Sequence, residues 1–151
     1  MRRPSALALL FLAGCASVGG MRAAPATEGS SWAFSAPAAK VHEAACEALR
    51  SHGMYLLEVG RPGDTAWSAL AQKTSLWSYG EYVRVTVLPA DSAGLTPAYF
   101  LTRRLVATNI TASDDWSARL IHRMVDVLAG RREPRENACE ITPAARAAAG
   151  S

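Results

Sequence analysis

Three cysteines and three histidines are the residues of this chain with the most specific chemistry: Cys15, Cys46 and Cys139, and His42, His52 and His122. The histidines stand at no i, i+4 spacing, and no carboxylate lies at a metal-motif distance from any of them. They are expected at helix-surface or half-buried positions, with no metal. No serine sits in G-x-S-x-G or S-x-x-K. Gly19-Gly20 belongs to no strand-to-helix phosphate loop. Glu43 and Glu47 are a like-charged i, i+4 pair, expected on the solvent face of a helix. A glycosidase needs two carboxylates facing across a cleft, and a single short sheet offers little cleft. The expectation is a non-enzyme with no cofactor. Cys15 differs from the other two cysteines. It ends an apolar run, Ala6–Ala13, that begins behind Arg2 and Arg3.

That run is too short to span a bilayer, which takes roughly 20 apolar residues. Two arginines followed by a short apolar segment fit an export signal. Leu12-Ala13-Gly14-Cys15 then resembles the lipobox of bacterial lipoproteins. The resemblance implies that the Cys15 sulfur accepts a diacylglyceryl group. It also implies that Leu12, Ala13 and Gly14 are read by the signal peptidase, which cuts between Gly14 and Cys15. Diacylglyceryl and acyl chains on Cys15 would then anchor the protein in a membrane, facing the periplasm. Neither Ala16 nor Ser17 resembles the Asp that retains many lipoproteins in the inner membrane, so the outer membrane is favoured.

Cleavage would leave residues 15–151, enough for one domain with a real core. The 16 basic and 13 acidic residues give a formal charge of +3. Arg2 and Arg3 leave with the signal, so the mature charge falls to about +1. No basic stripe remains to suggest nucleic acid. Export also permits a disulfide. With Cys15 lipidated, Cys46 and Cys139 remain as a candidate pair. Cys46 is expected on an accessible flank of its helix, roughly 130° from the centre of the apolar stripe at 100° per residue.

Residues 1–14 read as the signal peptide and 15–30 as a lipidated flexible tether, rich in Gly, Ala, Pro and Ser. Residues 31–130 form the folded domain, and 131–151 read as a disordered tail. Within the domain, Trp32-Ala33-Phe34 is a strand. Val41, Ala44, Ala45, Ala48 and Leu49 make the inner stripe of a helix that starts near Pro37 and stops at Gly53. Strands follow at Met54–Val59, Thr65–Gln72, Tyr82–Leu88 and Ala98–Val106, with a loop over Lys73–Gly80. Val83, Val85 and Val87 face one way, Arg84 and Thr86 the other. A last helix is expected to be capped by Ser113, with Asp114 and Asp115 in its first turn. Its apolar face holds Trp116, Leu120, Ile121, Met124, Val125 and Leu128, and Gly130 ends it. The fold class is α+β: a two-layer sandwich with a mostly antiparallel sheet and two helices on one face.

The stretch F-S-x-P-x-x-K-V-x-E-A-x-x-x-A-L-R-x-x-G, Phe34 to Gly53, behind a lipobox is similar to small envelope lipoprotein domains of unknown function. More distantly the arrangement resembles the lipoprotein C subunit of the β-barrel assembly machinery. The resemblance implies fold and location, and it carries over no catalytic residue.

Trp77 and Tyr79 lie in the expected loop beside Leu76 and Tyr82. Two readings stand: Trp77 and Tyr79 fold back over the open side of the sheet, or they form an exposed contact for a protein partner or a lipid surface, where such aromatics are favoured. Arg84, Arg103 and Arg104 are expected on a helix-free face nearby. The function expected is a lipid-anchored binding domain for another envelope protein. The alternative is a binder of lipid or cell-wall fragments in the cleft between sheet and helices.

Overall fold

The computed structural model describes residues 16–60, 66–75, 78–106 and 115–143; the side chains of residues 75, 78 and 79 are not described. Its elements are α1 (Val18–Ala23), β1 (Ser30–Phe34), α2 (Ala38–Ser51), β2 (Tyr55–Gly60), β3 (Trp67–Ser75), β4 (Ser78–Val87), β5 (Thr96–Arg104) and α3 (Ser117–Leu128). The five strands form one sheet in the order β1-β5-β4-β3-β2. Every neighbouring pair is antiparallel. β2 to β5 follow one another through short connections. β1 joins the far edge beside β5, so α2 must cross the sheet from one edge to the other.

The α+β sandwich expected from the sequence is present. α2 and α3 cover one face of the sheet, here called the front. On it Ala69, Val85 and Phe100 lie in one cross-strand row. Val41, Ala44, Ala45, Ala48 and Leu49 of α2 and Leu120 and Met124 of α3 close over that face and are fully buried. Alanines on α2 and on β3 leave little side-chain thickness between them. Among the described residues the space between helices and sheet is packed core.

Both long helices end alike. Gly53 (φ 72°) and Gly130 (φ 68°) take the left-handed conformation that glycine adopts without steric cost. The N–H of Met54 returns to the Leu49 carbonyl, and that of Arg131 to the Asp126 carbonyl.

Several expectations need correction. The loop expected over Lys73–Gly80 is mostly strand, because β3 and β4 extend towards each other as a hairpin through Ser75 and Ser78. α3 starts at Ser117, and the expected Ser113 cap and Asp114 lie outside the described residues. Asp115 precedes the helix and accepts hydrogen bonds from the Ser117 N–H and Oγ, both at 2.7 Å.

Residues 16–30 are no free tether. Ser17 caps α1 by accepting from the Gly20 N–H at 3.0 Å. Met21 is fully buried on the back of the sheet, with Leu57, Leu70 and Leu101. Nor is the segment after Gly130 a free tail. Residues 131–143 run back along α2 as a strap, with Ala138 buried and Cys139 and Ile141 packed on the core.

This strap also explains two reversals on α2. Cys46, expected on an accessible flank, is fully buried beneath it. Glu47, expected in solvent, is 1% exposed. It takes an ion pair from Arg123 at 3.0 Å and a hydrogen bond from the Arg135 N–H at 3.1 Å.

Candidate functional site

The back of the sheet is where the chain departs most from its expected plan. β4 alternates, so Tyr82, Arg84 and Thr86 all point away from the helices. In the cross-strand row, Leu70 and Leu101 flank Arg84. β2 contributes through a bulge between Leu56 and Glu58. An extra residue breaks alternation. Leu57 thus joins the back cluster while Leu56 keeps its place in the front core.

The expected helix-free face is covered. Arg84 is only 6% exposed. Its Nη1 donates to the carbonyls of Met21 and of Ala24, the latter at 2.8 Å, and its Nη2 to that of Pro25 at 2.6 Å. These carbonyls lie at and just beyond the C-terminal end of α1, where helix carbonyls are left without partners. Burial pulls the Arg84 pKa below its ordinary value; Glu28 opposes this and Arg103 adds to it. Arg103 holds the same segment by pairing with Glu28 at 2.6 Å. It shares the back face with Arg84, whereas Arg104 pairs in register with Glu81 on the front-facing parity.

Beside this clamp lies a pocket of about 460 Å³. Arg84, Thr86 and Ser68 form its polar side. Leu70, Val59 and Ala24 form its apolar side. The Arg22–Glu58 ion pair borders it.

Cys46 and Cys139 are joined by a disulfide with an S–S distance of 2.12 Å across 93 residues of sequence. Arg50 donates to the carbonyls of Ala138, at 2.6 Å, and Glu140, fastening the strap on both sides of the bridge. His42 is buried next to it, with Nε2 3.8 Å from Cys46 Sγ and its ring 5.0 Å from that of Trp67. Burial lowers the His42 pKa, with Glu43 opposing. His42, Cys46 and Cys139 place their donor atoms within 4.8 Å of one another. Both sulfurs are consumed by the bridge, so they offer no thiolates to a metal and no nucleophile to a histidine base.

His52 packs against Trp116 with its ring tilted by 56°, centroids 5.6 Å apart. Trp116 donates its indole N–H to the buried Glu81. His122 is exposed, 3.7 Å from Asp126. Of the other expected site residues, Leu12, Ala13, Gly14, Cys15 and Trp77 lie outside the described residues, as does the side chain of Tyr79.

Sequence reasoning missed the Arg84 clamp. Its signal was an arginine in the middle of a strand otherwise rich in valine, a position that tolerates burial only where acceptors meet the guanidinium. Comparison with protein-family models, curated proteins and solved structures finds no match to this chain.

Proposed function

We propose that this protein is a lipoprotein of the bacterial cell envelope, with a non-catalytic domain that binds another envelope protein. Lipid on Cys15 anchors it, facing the periplasm, in the outer membrane. The observation that carries the reading is Leu12-Ala13-Gly14-Cys15 directly behind Arg2, Arg3 and the apolar run. The Cys46–Cys139 bridge supports export, because disulfides persist in oxidising compartments. Ser17 already caps α1, so Ala16 alone separates Cys15 from the packed domain. The anchor therefore gives the domain a fixed orientation, with α1 nearest the bilayer and the α2–α3 layer on the other side of the sheet.

The test is Cys15→Ser. More than one acyl chain is needed for stable anchoring, each buried methylene contributing about 0.8 kcal/mol. The variant should leave the membrane fraction or accumulate uncleaved. Incorporation of a palmitate analogue as strong as in the wild type would refute the anchor.

The back-face pocket favours a second reading, a binder of an acyl chain with a carboxylate or similar anionic end. The Ser68 and Thr86 hydroxyl side chains, in the field of the buried Arg84, would meet the anionic end, and Leu70 and Val59 the chain. Binding of palmitate by the purified protein, abolished by a pocket-filling Ser68→Trp, would favour it over the protein partner.

A further inference from the structure

We infer that the outer surface of the helix layer carries a second site, an oxyanion pocket that takes a doubly charged phosphate group. Between the C-terminal end of α2, the outer face of α3 and the strap lies a pocket of about 430 Å³. Arg119, Arg123, Arg132 and Arg135 line it, together with His52 and His122.

The charges there do not cancel. Two carboxylates are in reach, Asp126 and Glu47. Arg131 already neutralises Asp126 at 2.8 Å, with His122 3.7 Å away, and Arg123 and Arg135 share Glu47 at 3.0 and 3.9 Å. Neither Arg119 nor Arg132 makes an ion pair with a described carboxylate. Arg119 lies instead over the Trp116 ring, 4.8 Å from its centroid. That contact steadies the guanidinium without neutralising it. The field of the arginines is felt inside the pocket. Burial is the main force lowering the His52 pKa, and the charges of Lys73, Arg119 and Arg123 lower it further, against a hydrogen bond with the Arg119 backbone.

Arg119 and Arg132 are exposed at the pocket's mouth, and among the described residues Arg132 meets no carboxylate beyond the field of Asp126. Behind them Arg123 Nε is buried without a partner. Guanidinium forks match the geometry of phosphate oxygens. A dianion fits the surplus better than a single carboxylate. The described residues lining this pocket are almost all charged or polar, so a phosphate ester on a saccharide, or free phosphate, is the ligand chemistry it favours.

The pocket does not depend on the lipid anchor, and Cys15→Ser serves as a control that should bind equally well. Titration calorimetry on the full disulfide-bonded chain in detergent would use three probes: inorganic phosphate, glucose 1-phosphate and a poly-glutamate peptide. Binding of either phosphate should weaken as salt rises. The double variant Arg119→Gln/Arg132→Gln should lose about tenfold or more in affinity. Both residues are exposed, so the variant should fold, and an unchanged melting temperature would verify it. Arg22→Gln, on the back of the sheet, should bind like wild type. Preference for glucose 1-phosphate over inorganic phosphate would identify a saccharide-borne group, and the reverse a free one. No binding of either up to about 10 mM, a range where affinity is negligible, would overturn the inference. So would equal binding by the double variant. Tight poly-glutamate binding that phosphate cannot displace would overturn it in favour of an acidic protein partner.

Discussion

Cys46, fully buried in α2, is bonded to Cys139 of a strap that would otherwise hang from the end of α3. Closing a loop of 93 residues removes entropy from the unfolded chain worth about 4–5 kcal/mol in the chain-entropy model. Replacing both cysteines with alanine should cost about that much by urea denaturation at pH 7. Hydrogen exchange should also quicken at amides of residues 131–143. A loss under about 1 kcal/mol with unchanged exchange would mean that Arg50 and Glu47 hold the strap unaided.

Glu47 is the polar partner of that bridge. It is the one buried side chain that reaches α3 through Arg123 and the strap through the Arg135 N–H. Removing one member of a buried ion pair strands the other, at about 3–5 kcal/mol. Arg123 is 17% exposed, so water can partly rescue it and the cost of Glu47→Ala should sit at the low end, about 3 kcal/mol. Glu47→Gln keeps the hydrogen-bond acceptor and should cost less. Equal losses for the two variants would show that charge is not what the site uses.

These two residues also show where the sequence stopped being legible. The period-2 pattern of Val83, Val85 and Val87 and the apolar stripe of α3 are local, and both elements are where the pattern puts them. The inner stripe of α2 is equally local. What buries its flank is a segment some 90 residues away, whose charges and prolines read as solvent-loving. α1 failed for a related reason. Six residues containing Gly19-Gly20 are too short and too glycine-rich to form a helix alone. Their order comes from Met21 packing on the sheet and from Arg84, neither visible in the segment itself. The bulge in β2 hid Leu57, because alternation cannot reveal two neighbours assigned to opposite cores.

Burial of His42 makes stability depend on pH. Burial holds its folded pKa below the ordinary 6.5, against the nearby Glu43. Above that value neither state binds the proton. As pH falls below it, the unfolded chain binds a proton that the native state refuses, and stability falls by up to about 1.4 kcal/mol per pH unit. The loss continues until the folded pKa is reached. His52 is shifted the same way and adds to the slope. His42→Phe keeps a ring beside Trp67 and should flatten the dependence as pH falls below 6.5, by at most about one proton. An unchanged slope would mean that His42 is protonated in the folded protein.

Arg84 should decide whether the N-terminal segment is part of the domain or a leash. Its guanidinium serves three carbonyls, those of Met21, Ala24 and Pro25. Arg84→Met keeps an unbranched apolar stem against Leu70 and Leu101 but withdraws every donor. The Met21 and Ala24 carbonyls would lose these donors, at about 1–3 kcal/mol for a buried one, whereas the Pro25 carbonyl keeps the Glu28 N–H at 3.1 Å. Against that cost α1 has the packing of Met21, with lesser contacts from Val18 and Ala24, the exposed Arg22–Glu58 pair and a 3.3 Å hydrogen bond from Arg103 to the Gly20 carbonyl. The helix should detach while the sheet, α2 and α3 stay folded. Trypsin reads this directly, because Arg22 lies within α1 and is exposed apart from its pair with Glu58. Cleavage after Arg22 should accelerate at least tenfold, which corresponds to about 1.4 kcal/mol of lost local stability. Cleavage at wild-type rate would show that the hydrophobic contacts of Met21 suffice. Detachment would also give a Cys15 anchor a run of chain from residue 16 to β1, up to about 3.3 Å per residue. A domain held in one orientation on the bilayer would become one that tumbles, which fluorescence anisotropy of the membrane-bound variant should report as faster depolarisation.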